Sequence, residues 1–250
     1  MERKKTAIIL AAGLGSRLMP LTKTDHKCMT KVCGTPIIYN ALKNLENQKF
    51  DEAIIVVGYL REQLKNQITE FDLNMMITFA ENNIYDQTNT IYSLKKGLEK
   101  VAEYDELYVI EGDVFFEKAV LDRLIYSDYE NATILEPYNE KLDGTFVEVG
   151  IDGFVYDWRH KSDQEKGYLL QDKYKTVNLH KFSKRFVENQ LIGIIDEVLS
   201  DDGMKKPIEK VMKKIVEQKK DIIKGEILNG EKWYEIDDVN DLKIAEKIFK

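Results

Sequence analysis

Apolar positions along this chain change their period in a regular way. Short runs that are apolar throughout alternate with longer stretches in which apolar residues recur every third or fourth position. The first kind predicts strands and the second amphipathic helices. A strand over about 5–10 precedes a helix over about 36–48, where Ile37, Ile38, Ala41, Leu42 and Leu45 share a face and Pro36 suits the first turn. A strand over about 53–57 precedes a helix near 60–70 marked by Leu64, Ile68 and Phe71. A strand over about 74–79 precedes a helix over 90–102, and "ELYVIEGD" supplies the next strand. This alternation predicts βαβ units.

The second half has another rhythm. "TFVEVGIDGFVYDW" alternates apolar and polar residues around an Asp-Gly turn, the pattern of an antiparallel hairpin. Helices are expected over about 181–199 and 206–219, a short strand near 221–227, and a closing strand–helix unit from "WYEI" onward. No internal repeat, low-complexity tract or linker interrupts the chain. The expected fold class is therefore α/β: a Rossmann-like, mostly parallel (mixed) sheet flanked by helices, with a small antiparallel hairpin in the second half. Residues 1–250 are read as one continuous domain.

The junction "AIILAAGLGSRL" carries the first chemistry. A buried strand ends at Leu10 and runs into Ala11, Ala12, Gly13, Gly15 and Ser16, whose small side chains let backbone N–H groups approach an anion. Arg17 adds a fixed positive fork. A dinucleotide fingerprint would need a third glycine where Leu18 stands, and a Walker A loop would need a closing Gly-Lys-Ser/Thr that is absent. Two aspartates follow strand-like runs. Asp113 closes "LYVIEGD" and is expected at the carboxyl edge of a parallel strand, where open α/β sheets place their ligands. Asp237 closes "WYEID", with Asp238 as the competing helix cap. Hard carboxylate oxygens without a His or Cys cluster favour magnesium over zinc.

Charge and composition narrow the classes. A formal net charge of −7 argues against a nucleic-acid surface. No run of about eighteen apolar residues exists to span a bilayer, and the basic start "MERKK" leads into a strand rather than a secretory leader. The two cysteines, Cys28 and Cys33, are too few for a zinc site and suit a reducing compartment, with burial as the default for both. A cytoplasmic protein is expected.

"LAAGLGSRLMPLT" followed by Lys27 resembles the signature of the sugar-nucleotidyltransferase superfamily. "KCMTKVCGTPIIYNAL", "IIVVGYL", "TNTIYSL", "LYVIEGDVFF" and "WYEIDDVNDLKIAEKI" resemble segments of bacterial cytidylyltransferases that act on 2-aminoethylphosphonate or phosphocholine. The resemblance implies a nucleotide-binding half over about 1–113 and an acceptor-binding half over about 114–250. It implies transfer of CMP from CTP to a small phosphonate or phosphate, with Mg2+ held by Asp113 and Asp237. Arg17 is then expected at the outgoing pyrophosphate and Lys27 at the α-phosphate, with Lys31 a lesser candidate. His26 stands where the superfamily usually has proline before that lysine.

The resemblance places Thr88, Asn89 and Ser93 beside the nucleoside, although helix capping is an equal role for Thr88 or Asn89. In "YKTVNLHKFSKRF", Lys175 and Asn178 are expected to bind acceptor oxygens. An ammonium on the acceptor would favour carboxylates such as Glu111, Asp143 or Asp163, and Trp158 and Trp233 are either core or a cation–π surface. A sugar-1-phosphate nucleotidyltransferase and a catalytically silent nucleotide-binding domain are the alternatives. The apolar residues of the last three helices line either the core or a homodimer contact.

Overall fold

The computed structural model describes residues 3–218 and 222–250. Its first half contains strands β1 (Lys5–Ala11), β2 (Lys31–Val32) and β3 (Thr35–Pro36), helix α1 (Ile37–Asn47), β4 (Glu52–Val57), α2 (Arg61–Thr69), β5 (Met76–Glu81), α3 (Thr90–Leu98) and β6 (Glu106–Glu111). There follow β7 (Val114–Phe116), α4 (Lys118–Ile125), β8 (Ala132–Pro137), β9 (Phe146–Val149), β10 (Val155–Arg159) and β11 (Tyr174–Ser183). The last elements are α5 (Lys184–Phe186), α6 (Ile192–Asp201), α7 (Glu209–Gln218), β12 (Lys224–Ile227), β13 (Trp233–Glu235) and α8 (Val239–Ile248).

Strand β1 sends Ala7, Ile9 and Ala11 to one face of the sheet and Ile8 and Leu10 to the other, and all are buried. A strand apolar on both faces needs cover on both sides, and helices supply it. α1, α2 and α4 pack on the first face and α3, α6 and α7 on the second. β1 lies between β4 and β6 in parallel register, and β5 extends the parallel part beyond β4. Beyond β6 the direction reverses at β11, so the nine-stranded sheet is mixed. β9 and β10 form the expected antiparallel hairpin, closed by Gly150 N–H donating to the Phe154 carbonyl at 2.9 Å.

One boundary differs from expectation. Residues 181–183 do not begin a helix but continue β11, because Lys181, Phe182 and Ser183 pair with Tyr108, Leu107 and Glu106 of β6. Helical structure starts at Lys184 and passes through a π-helical turn, Val187–Leu191. The helix expected over 90–102 ends at Leu98. Residues 219 and 221, the ends of the expected second helix and short strand, lie outside the described residues. Most apolar side chains of α6 and α7 pack toward the sheet while Ile192 stays exposed, and Phe249 after α8 packs edge-on against Phe115 at 4.7 Å. No helix among the described residues is long and apolar enough to cross a membrane.

A third, small apolar cluster positions the site. Leu18 after the glycine loop, Val32, Ile37, Phe115, Ile236 and Ala245 bury one another away from the main sheet. β7 and β13 form a separate antiparallel pair in which Glu235 faces Val114. Leu18 and Ile236 are fully buried neighbours in sequence of Arg17 and Asp237, so packing the cluster fixes where those two side chains emerge.

Candidate active site

The glycine loop begins where β1 ends and lines a cleft of about 160 Å³. Leu10, Ala11, Ala12, Gly13, Gly15, Lys27, Thr88, Asn89, Ser93 and Asp113 contribute to its wall. Gly15 holds a left-handed φ of +63°, and a Cβ there would stand 2.8 Å from Cβ of Lys27. At Gly13 a Cβ would meet no protein atom, which leaves the approach to the loop open. Ser16 and Arg17 lie on an exposed 3-10 turn beside the cleft.

Two backbone devices bring the distant aspartates together. Asp113 follows β6, and the Ile236 N–H donates to its carbonyl at 2.9 Å, which continues the β7–β13 pairing. Asp238 caps α8 by accepting from the N–H groups of Asn240 and Asp241, while Asp241 accepts from the N–H groups of Asp237 and Asp238. Asp237 is therefore spared from capping. Its Oδ1 accepts from Lys27 Nζ at 2.9 Å and lies 2.8 Å from Arg17 Nη2. Lys27 Nζ also donates to Asp113 Oδ2 at 2.7 Å.

Burial opposes the charge on Lys27, but Asp113 and Asp237 outweigh it and raise the ammonium pKa above its ordinary value. For Asp237, burial works toward protonation, and Lys27 and Arg17 reverse the balance and lower its pKa. Lys31 is exposed on β2, in keeping with a solvated lysine.

The carboxylate group differs from the expected pair: it joins Asp113 to Glu111 and Glu235, and Asp237 is not a member. Carboxylate oxygens of Glu111, Asp113 and Glu235 lie within 4.8 Å of one another. Burial, followed by the charges of Glu209, Asp113 and Glu235, raises the Glu111 pKa well above the ordinary carboxylate range. Burial also raises that of Glu235, with Lys175 partly offsetting it. Hard oxygens in this number fit a divalent cation. Asp113 Oδ1, buried and without a hydrogen-bond partner, is the kind of atom a metal ion would satisfy.

Lys175 and Asn178 reach the same group from β11. Lys175 Nζ donates to the Thr176 carbonyl at 2.9 Å and to Glu235 Oε2 at 3.1 Å. Asn178 Nδ2 donates to Glu111 Oε2 at 3.1 Å and Glu235 Oε1 at 3.4 Å. Asn178 occupies the left-handed region at φ +63°, within a break in the register of β11 against β8. Such a bulge re-aims a side chain that regular pleating would send elsewhere.

Other expectations resolve locally. Asn89 caps α3, and Thr88 and Ser93 are joined through Asn82, whose Nδ2 donates to their hydroxyls at 2.9 and 3.1 Å. Asn82 was not anticipated, and a lone asparagine after a strand carries no distinguishing mark. Asp143 pairs with Lys161, and Asp163 with Lys210 and Lys213, so neither joins the carboxylate group. Trp158 is core. Trp233 donates to Glu136 at 3.1 Å and has Lys175 Nζ 6.0 Å from its ring. Cys28 is buried, which pushes its thiol pKa up to about 12, but Cys33, in the turn between β2 and β3, is exposed. Burial of both thiols is thus corrected for Cys33.

A family model described as nucleotidyl transferase matches residues 6–142, more than half of the chain. The chain belongs to the nucleotidyl transferase family. Among curated relatives, CMP-5'-(3-aminopropyl)phosphonate synthase of Streptomyces rubellomurinus is 30% identical over 192 residues, covering 77% of this chain and 30% of that protein. Choline-phosphate cytidylyltransferase of Streptococcus pneumoniae is 28% identical over 98% of both chains. This nucleotidyl transferase chain spans 49% of the relative named bifunctional protein GlmU of Methanococcus maripaludis strain C5. Among solved structures, the CTP:phosphocholine cytidylyltransferase of Streptococcus pneumoniae has a TM-score of 0.77 at 24% identity, covering 99% of this chain and all of that one. A UDP-glucose pyrophosphorylase matches with a TM-score of 0.79 at 17% identity over 98% of both chains, which shows a shared fold.

Proposed function

We propose that this nucleotidyl transferase moves CMP from CTP to a small phosphonate or phosphate that carries an amine, with 2-aminoethylphosphonate and phosphocholine as the two acceptor types to compare. The observation that carries the reading is the continuity of the glycine-loop cleft with the Lys27–Asp113–Asp237 cluster and, through Asp113, with Glu111, Glu235, Lys175 and Asn178. Loop N–H groups and Arg17 hold the β- and γ-phosphates. Lys27 follows the α-phosphate as charge develops on it. Thr88, Asn89 and Ser93 face the nucleoside.

Asp113 and Asp237 would hold Mg2+, with Glu111 and Glu235 as further carboxylates beside Asp113. A divalent cation there supplies charge that offsets the repulsion between two anionic phosphate groups. An acceptor oxygen forms the new bond to the α-phosphorus as the bond to the bridging oxygen breaks, and that electron pair leaves with pyrophosphate. The acceptor oxygen is already ionised near pH 7, so no general base is required.

Glu111 and Glu235 offer hydrogen-bond acceptors to an ammonium, and the Trp233 face is already engaged by Lys175. Acceptors reward N–H donors, whereas a quaternary ammonium needs open aromatic faces. The reading therefore favours a primary amine. Lys175, drawn from Glu235 by a second anion, meets the phosphonate, and Asn178 orients Glu111. The test is pyrophosphate release with each nucleoside triphosphate against 2-aminoethylphosphonate, phosphocholine and hexose 1-phosphates. CTP with aminoethylphosphonate is expected to give the highest kcat/KM. Preference for a hexose 1-phosphate would overturn the reading.

A further inference from the structure

His26 precedes the lysine at the centre of the site, and its ring is buried with 1% exposure. Its backbone sits at φ −72° and ψ 143°, inside the φ range that a proline ring would impose. No ring closes on the backbone here, so something else must hold it. The side chain does: Nδ1 accepts the Cys28 N–H at 3.2 Å and caps the short 3-10 turn Lys27–Met29. The same turn is closed by Met29 N–H donating to the His26 carbonyl at 2.8 Å.

Because Nδ1 is an acceptor, the neutral ring carries its proton on Nε2. Nε2 is buried, and the ring lies within reach of the Ala11 backbone. His26 lines the nucleotide cleft together with Ala11 and Lys27. The residue therefore stands between the end of β1 and the turn that aims Lys27. Lys27 in turn leans on Gly15, where only a hydrogen can occupy the Cβ position. Its Nζ must then reach two carboxylates from distant parts of the chain, a placement that tolerates little rotation of the turn.

We propose that His26 is a positioning residue: through its Nδ1 cap it sets the conformation of the Lys27 turn, and thereby the placement of the Lys27 ammonium at the reacting phosphate. The inference rests on the function proposed above for Lys27. His26, only 1% exposed, is assigned this role through Lys27 and not through contact with the reacting atoms. Its contribution is felt in the transition state, where Lys27 acts, more than in nucleotide affinity.

The test compares His26→Ala, His26→Asn and His26→Pro in the full chain with two readouts. One is kcat and KM for CTP from pyrophosphate release. The other is the rate of reductive methylation of Lys27 without nucleotide, followed by peptide mass spectrometry. His26→Ala is expected to lower kcat about tenfold, leave KM within about twofold, and expose Lys27 to methylation about threefold faster.

Asparagine can accept the Cys28 N–H with Oδ1, and proline fixes φ near about −65°. At least one of these two variants is expected to keep both readouts within about threefold of the wild type. Wild-type behaviour of His26→Ala overturns the proposal. So does impairment of all three variants when thermal melting shows them folded. Should His26→Ala fail to fold, the Asn and Pro variants decide by the same criterion. A wild-type chain that releases no pyrophosphate with any acceptor counts against the function instead, and the methylation rates still decide the role of His26.

Discussion

The ammonium of Lys27 lies 2.7 Å from Asp113 Oδ2, a charge-assisted bond across 86 positions of sequence. It makes Asp113 the meeting point of the glycine-loop half of the site and the carboxylate group around Glu111. Asp113→Asn keeps the side chain's shape and removes its charge. With Mg2+ present, kcat for pyrophosphate release is expected to fall at least about 100-fold. Near-normal turnover would detach Asp113 from the chemistry.

The same ammonium faces Asp237, so one internal cation serves two carboxylates. Lys27→Met should leave Asp113 uncompensated and Asp237 paired with Arg17 alone, and so make the site more receptive to an added cation. Mn2+ binding to the nucleotide-free chain, measured by electron paramagnetic resonance, is expected to tighten about tenfold or more, while CTP turnover drops. Unchanged Mn2+ affinity would show that the lysine does not occupy the cation's place.

Gly15→Ala combines two penalties. The left-handed φ of +63° disfavours any Cβ, and the new methyl would press on Lys27 Cβ at 2.8 Å. A stability loss of about 1–2 kcal/mol is expected from the backbone alone. Thermal melting measures it, and a parallel fall in kcat would report the displaced lysine.

Burial lowers the pKa of His26 to about 4 and of His180 to about 3. In the unfolded chain both titrate near 6.5 and therefore bind protons that the folded chain refuses. Stability is thus expected to decrease as pH falls from about 6.5 toward about 4, by roughly 1–3 kcal/mol for each buried ring. Urea melts across that interval check it, and His26→Asn should flatten part of the slope.

Glu111 has the opposite sign. Its folded pKa is raised by burial and by neighbouring acids, so it favours the folded state while protonated and loses that advantage as pH rises. Glu111→Gln is expected to raise the melting temperature more at pH 8 than at pH 5. Its activity with amine-bearing acceptors should fall at both.

Much of this architecture is legible in the order of residues. The alternation of Ala7, Ile8, Ile9 and Leu10 already marks a two-sided core strand, and Asp113 lies beyond the carboxyl end of β6 where such folds bind ligands. Glu235 was invisible for a physical reason. By residue type a glutamate in a three-residue strand reads as solvent-facing, although period puts it on the face of Trp233, and only Lys175, Asn178 and Glu111, all remote in sequence, make its position an interior one. Lys181 was likewise read as helical, because its aliphatic stem fits either period. Pairing with β6 and the bond from its Nζ to the Ser127 carbonyl decide for a strand. His26 stands where the resemblance leads one to expect proline, and only the folded chain places its ring as the cap of the Lys27 turn.

The packing of Leu18 against Ile236 has a bearing on how the enzyme is made. During synthesis the glycine loop leaves the ribosome early, yet Arg17 finds Asp237, and Lys27 its second carboxylate, only when a segment 210 positions beyond Lys27 has been translated. Until then the nascent loop carries exposed cations and no aspartate from the far end to restrain them. Competence for nucleotide chemistry therefore arrives late, as a single closing event, rather than accumulating with chain length.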